Sequence, residues 1–328
     1  MKILITGTSG HLGEALVRTL RDKSHEIIGL DVKPGPFTGH VGSIADRAFV
    51  HERMSGVEAV LHAATLHKPH VATHTRQDFI DTNITGTSNL LEEAAAAGVK
   101  AFVFTSTTST FGRAMNPAPG APSVWVDEEL RPQPKNIYGV TKVAAEDLCE
   151  LFHAREKIPC VILKTSRFFP EIDDDADTRR RFDDANVKVN EFLHRRVEIQ
   201  DVVDAHEVAI ERAAAVGFGR YIISATTPFQ PDDLEELSRD APAVLARYVP
   251  EYVEEFARRG WSMFPSLDRV YSNERARREL GWKPHYDFAR VVALLRANES
   301  FLSPLARSIG KKGYHEQEFT DGPFPVAC

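Results

Sequence analysis

Short apolar runs rich in β-branched residues recur through the first half of the chain, each followed by a stretch with helical spacing. This alternation constrains the fold more than any other feature. KILIT (2–6), EIIGL (26–30), AVLHAA (59–64), AFVFTS (101–106) and CVILKT (160–165) are nearly continuous apolar runs, as expected of strands covered on both faces. Between them, 11–22, 76–97 and 137–155 carry apolar residues at helical intervals; Asp46 opens a weaker segment before Gly56, and 76–97 stops at Gly98, where a C-terminal glycine belongs. Strands alternating with helices predict an α/β fold, a doubly wound parallel sheet. The expected organisation is a cofactor-binding core over 1–166, a mixed region over 167–302 that completes the sheet and forms a small C-terminal α/β substrate lobe, and a tail or arm over 303–328.

The pattern loosens in the second half. PEIDDDADTRRRFDDAN (170–186) is dense in charge and reads as a mobile surface segment. RRVEIQDV predicts a short strand before a helix, RYIISA another strand, and PDDLEEL, AVLARYVPEYVEEFARR and NERARREL further helices. From Ser303 to Cys328 there is no periodicity.

The chain has 328 residues, 42% hydrophobic and 27% charged, with a net charge of −7. A pI near 6.0 gives no general basic footprint for nucleic acid. No apolar run approaches the roughly 20 residues that span a bilayer, and KILITG is too short for a signal peptide, so a cytoplasmic location is expected. Cys149, Cys160 and Cys328 are few and scattered, which predicts free thiols.

An anionic ligand therefore needs a local device, and TGTSGHLG (6–13) is one. Gly7, Gly10 and Gly13 fall where the first strand turns into the first helix. Glycines there permit a tight turn, close approach of a pyrophosphate and close helix-to-strand packing, with helix amides aimed at the anion. Asp31, ending the second strand, is placed to accept hydrogen bonds from ribose hydroxyls and to repel a 2′-phosphate. NAD is favoured over NADP, with Lys33 partly opposing. In NIYGVTKVAAEDL (136–148), Tyr138 and Lys142 lie four apart on one helical face and can aim their polar ends at one place.

The glycine spacing, TSTTSTFG (105–112) after the fourth strand, YGVTK (138–142), NITGT (83–87) and LGWKP (280–284) together resemble the extended short-chain dehydrogenase/reductase superfamily, the group of NAD-dependent sugar epimerases and dehydratases, over roughly residues 1–300. The resemblance implies a Rossmann core and a homodimer formed through helices 76–97 and 137–155. It implies that Tyr138 exchanges a proton with a substrate oxygen, that Lys142 lowers the Tyr138 pKa and binds the nicotinamide ribose, and that Thr107 hydrogen-bonds the same oxygen, with Ser106 and Thr108 as lesser candidates. Cofactor contacts carried over are Gly7, Gly10, Leu12, Gly13, Asp31, Ala63, Ala64, Thr65, Tyr138 and Lys142, with Ser43 and Ile44 near the adenine and Phe168 after the fifth strand. His11 is read either as a cradle residue or as solvent-exposed, and Asn83 as a brace near the site.

Three departures narrow the expectation. An adenine-binding Asp is replaced by Ser43 within Gly42-Ser43-Ile44, and TSRFFPE (165–171) puts Phe168 and Phe169 where nucleotide-sugar epimerases carry an Asn. The stretch from Arg167 to RRVEIQDV is short for a lobe that holds a nucleotide diphosphate, so a small polar substrate is expected. By the resemblance Arg196, and more weakly Arg167, are candidates for an anionic substrate group; Phe169 and His67 are candidate pocket residues. The Pro-rich loop between Gly112 and Asn136 can cover the pocket with Trp125 as a wall, and Glu128 or Glu129 is a further acid or base or a surface carboxylate. His67, His70 and His74 lack a carboxylate or thiolate at ligand spacing, so no metal is expected. Two other readings stay open: a nucleotide-sugar 4-epimerase or dehydratase with tightly bound NAD, and a non-catalytic NAD-binding sensor.

Overall fold

A computed structural model describes residues 1–313, His315 and Phe319; the rest of the 303–328 tail, Cys328 included, lies outside the described residues. Its elements run β1 (Lys2–Thr6), α1 (His11–Arg21), β2 (Glu26–Asp31), β3 (His40–Val41), α2 (Arg47–Arg53), β4 (Ala59–His62), α3 (Arg76–Ile80), α4 (Gly86–Ala97), β5 (Ala101–Thr107), β6 (Val124–Val126), α5 (Ile137–Glu156), β7 (Cys160–Thr165), α6 (Ala176–Arg181), α7 (Asp184–Glu191), α8 (Ile199–Val216), β8 (Phe218–Ile223), α9 (Leu234–Leu237), α10 (Ala241–Tyr248), α11 (Glu251–Arg259), β9 (Arg269–Tyr271), α12 (Phe288–Arg296) and α13 (Pro304–Ile309). Seven strands form one parallel sheet in the order β3-β2-β1-β4-β5-β7-β8. The order reverses between β1 and β4, and ligands of open α/β sheets bind at the carboxyl end of such a switch point.

The continuous apolar strands now have a physical reason. Along β1, Ile3 and Ile5 face a core shared with α1 and α8, while Leu4 faces one shared with α2, α4 and α5. Both faces of the sheet are dry, so no polar alternation appears. A separate apolar core, running from Val189 and Phe192 through Leu237, Leu245, Phe256 and Phe288 to Leu295, holds the second lobe together, with Trp125 packed against it. The short β6–β9 ladder ties the 112–136 loop to that lobe.

Three local expectations change. Helix 76–97 is interrupted by a π turn at Asp81–Thr85, which carries Asn83; such turns often mark functional positions. The strand expected in RRVEIQDV is a single bridge, Arg167 to Arg196, before α8 begins at Ile199. The 170–186 segment is tied down at its start, where Asp173 is buried against Arg167 and Arg195 and Asp174 pairs with Lys68, while 175–177, 180 and 181 are exposed. Charge density misled for Asp173 and Asp174, one of whose partners, Lys68, lies 106 residues away.

Candidate active site

A cleft of about 1370 Å³ opens along the carboxyl ends of β1, β2, β4, β5 and β7. At one end the β1–α1 turn leaves no room for side chains. Gly7 adopts φ +78°, a Cβ there would lie 2.8 Å from the Ala64 amide nitrogen, and one on Gly13 would lie 2.0 Å from the Gly7 carbonyl oxygen. Gly10 caps α1 without a side-chain bond, and Gly10, His11, Leu12 and Gly13 all line the cleft. First-turn amides and the positive end of the helix dipole are therefore offered to an anion. Asp31 accepts hydrogen bonds from the Ser9 and Lys33 amides at 2.9 and 2.8 Å while lining the same cleft. Thr6 Oγ1 accepts the Ala63 and Ala64 amides, fixing the end of β4 beside the cradle.

Further along the cleft, α5 delivers Tyr138. Its phenol is buried, and burial pushes it up to about 12, with the Thr107 side chain opposing. Lys142, one turn on, donates from Nζ to the Thr105 carbonyl at 2.7 Å and lies 3.8 Å from the centre of the Phe104 ring. Burial pushes its ammonium down to about 7, with Glu146 opposing. The expected lowering of the Tyr138 pKa by Lys142 is not seen in the chain alone, where desolvation and then Glu146 raise it and Thr107 lowers it. Asn83 ties this helix to the end of β4: its Oδ1 accepts from Thr65 Oγ1 and the Leu66 amide, and its Nδ2 donates to Thr141 Oγ1 at 3.0 Å. Glycine cradle, acidic strand end and Tyr138 thus share one cleft whose shape and donors fit a dinucleotide, while Lys142 is buried and outside the cleft lining.

A model of the NAD dependent epimerase/dehydratase family matches residues 3–223. The chain belongs to that family. It is an NAD-dependent enzyme of the short-chain dehydrogenase/reductase type, epimerase or dehydrogenase in chemistry, which displaces the sensor reading. It is 27% identical to a UDP-glucose 4-epimerase of Rhizobium leguminosarum bv. trifolii over 88% of this chain and 94% of the relative. It is 28% identical to a uronate dehydrogenase of Pseudomonas syringae pv. tomato over 52% of this chain and 60% of that relative. A solved short-chain dehydrogenase/reductase superfamily protein from Agrobacterium tumefaciens, with bound NAD, superposes with a TM-score of 0.62 at 24% identity, over 94% of this chain and 99% of the other.

The expected family residues do not all meet the cleft alike. Ser43, Ile44, Ala63, Ala64, Thr65, Ser106, Thr107, Thr108, Phe168, Phe169, His67 and Arg167 line it. Ser43 already accepts the Ala45 amide, Ile44 is packed into the core, and Ser106 donates to buried Glu146. His11 is buried and lies 3.0 Å from Glu171, which corrects its solvent-exposed reading. His67 stacks on Phe169 with centroids 5.6 Å apart. Arg196 is a correction: it is outside the cleft lining, and its guanidinium is spent on Glu191 and on the Phe169 carbonyl. Its neighbour Arg195 lines the cleft instead.

Several lining or supporting residues went unread in the sequence. Glu146 is one helical step beyond Lys142 on the Tyr138 face, and it holds Lys164 at 2.7 and 2.9 Å in a buried pair. That spacing was visible; its partner on β7 was not. Glu171 accepts the Lys312 and Gly313 amides at 3.1 Å, bringing the chain's late segment to the cleft, and Lys312 Nζ reaches Glu14 at 2.6 Å. Arg269 and Tyr271 enter from β9, and nothing in their local pattern marks them.

Proposed function

We propose that the enzyme moves hydride between NAD and a secondary hydroxyl or carbonyl carbon of a small sugar-like or hydroxy-acid substrate. The observation that carries this reading is the buried Tyr138 phenol, which lines, with Thr107, the cleft that also holds the glycine cradle. In the oxidative direction Tyr138 Oη takes the hydroxyl proton as hydride leaves the same carbon, and Thr107 Oγ1 orients the oxygen; reduction reverses both transfers. Lys142 supports the phenolate from the next helical turn. The chemistry supplied by bound NAD is hydride exchange at a positively charged nicotinamide, a charge that favours phenolate. Gly7, Gly10, Leu12 and Gly13 would hold the pyrophosphate, and Asp31 the adenine ribose.

The small substrate is supported by the segment after β7, where Phe169 stacks on His67 and Arg167 is bound to Asp173 and Asp174, so that aromatic rings and ion pairs occupy that side of the cleft. The likeness to a UDP-glucose 4-epimerase over most of the chain favours a second reading, nucleotide-sugar epimerisation with retained NAD. Mixing the enzyme with NAD and a panel of free sugars, sugar acids and nucleotide sugars separates the two. Net NADH from a small hydroxy compound supports the first, and nucleotide-sugar interconversion without net NADH supports the second.

The proposal extends to a cytoplasmic homodimer. Among the described residues no helix is long and apolar enough to cross a membrane. Val140 and Leu151 expose apolar surface on α5, one of the two helices expected to meet a second copy. Sedimentation at the dimer mass, lost on changing both residues to Glu, is the expected result.

A further inference from the structure

The chain returns to the cleft after its last helix. In α13, Leu305, Ala306 and Ile309 pack against the core that α1 and α8 share with one face of the sheet. The arm then leaves through Gly310 and bends again at Gly313, whose φ values of +65° and +70° lie in the left-handed region that suits glycine. Three anchors hold it. Lys312 Nζ donates to Glu14 in the first turn of α1 at 2.6 Å, and the Lys312 and Gly313 amides donate to buried Glu171, after β7, at 3.1 Å. His315 Nε2 donates to the Pro69 carbonyl at 2.9 Å.

These anchors lie on both sides of the cleft. Pro69 belongs to Lys68–Ala72, which leads from β4 towards α3 and α4, and α4 packs its Leu90, Leu91 and Ala94 on the opposite face of the sheet from α1. An arm that starts beside α1 and reaches Pro69 must therefore pass over the carboxyl ends of the strands. Lys312, Gly313 and His315 all line the cleft on the way. Glu171 joins this crossing to the glycine cradle, since the oxygen that accepts both arm amides also lies 3.0 Å from His11 Nε2.

We infer that residues 310–313 and His315 form a strap over NAD seated at the glycine cradle, so that the cofactor enters and leaves only when the Glu14, Glu171 and Pro69 anchors let go. The strap thereby sets the rate of cofactor exchange. Net oxidation requires NADH to leave in every cycle, so the strap limits that reaction and spares one that retains its cofactor. The inference rests on the placement of NAD at the cradle proposed above and adds to it a segment outside the sheet and its helices.

The test is stopped-flow binding of NADH to the full-length protein freed of nucleotide, with association followed by nucleotide fluorescence and dissociation by a chase of excess NAD. Lys312→Ala combined with His315→Ala should speed association and dissociation together, each by about tenfold, the scale of one charge-assisted hydrogen bond. Affinity should then stay within about threefold of wild type. If Lys312 instead contacts the pyrophosphate directly, its loss speeds dissociation and slows association, because a positive charge is removed from the path of an anion. If the arm plugs the empty site, association alone speeds up. Either pattern, or unchanged rates, overturns the strap. Glu14→Gln removes one anchor without altering the arm and should speed both rates by a smaller factor, which covers the case of a double variant that does not fold. Gly13→Ala separates the strap from the placement it rests on. NADH affinity that survives Gly13→Ala sinks the placement, whereas affinity lost there beside wild-type exchange in the arm variants sinks the strap alone.

Discussion

The two ends of the cleft are built by different means. The end proposed for the cofactor is built of backbone: glycines that exclude side chains, helix amides left open, and one carboxylate at a strand end. The end proposed for the substrate is built of side chains held by one another, with Arg167, Arg195 and Arg196 converging on buried Glu191. Burial would raise that carboxyl, and the surrounding guanidinium groups hold it down at about 2. Backbone geometry can be kept while side chains around it change, so the first end suits a shared cofactor and the second a particular substrate.

The comparison can be broken by damaging each end separately. The largest effect is expected at Gly13→Ala, whose Cβ would lie 2.0 Å from the Gly7 carbonyl oxygen. Displacing the cradle should cost about 10²-fold or more in kcat/KM, read with NAD as the varied substrate. Ordinary activity would break the claim that backbone contact governs the cofactor end. Next comes Glu191→Gln, which leaves buried arginines without their shared carboxylate. Chemical denaturation should show a loss of about 3–5 kcal/mol, with NAD affinity of the folded enzyme unchanged.

A smaller effect separates the ends by pH. Glu191 and Glu171 both sit at about 2 against an ordinary 4.5, Glu171 because His11 and the Lys312 amide outweigh burial. Groups with depressed pKa values contribute their full stabilisation above the ordinary value and lose it as pH falls from there towards about 2. The melting temperature should therefore fall through that window, and Glu191→Gln should flatten the fall; an unchanged profile would contradict the ion-pair account. The smallest effect is expected at Asp31→Ala, which should narrow the preference for NAD over NADP by about tenfold, the scale of one hydrogen bond to a charged group, measured as the ratio of the two kcat/KM values.

The same contrast explains what could be read from the sequence. TGTSGHLG and YGVTK are local: their meaning lies in spacing within one turn or helix, and the structure sets both beside one cleft. Asn83 was legible as a brace only through the resemblance, since its partners Leu66 and Thr141 lie 17 and 58 residues away. Arg196 bonds to Glu191 and the Phe169 carbonyl while Arg195 lines the cleft, because the stretch is a bridge and a turn rather than a strand, and no alternation decides which side chain faces the cleft. Tyr271 and Glu171 depend on partners scores of residues away, a relation that periodicity does not encode. Within the acidic 170–186 run, Asp174 looked solvated because its partner Lys68 lies 106 residues off in the chain.

The most direct measurement compares wild type with Tyr138→Phe, following NADH absorbance and product identity over the sugar, sugar-acid and nucleotide-sugar panel while NAD affinity is titrated in parallel. The account predicts that turnover falls by about 10²–10⁴-fold in Tyr138→Phe with NAD binding retained. Undiminished turnover in that variant would contradict the assignment of proton transfer to Tyr138.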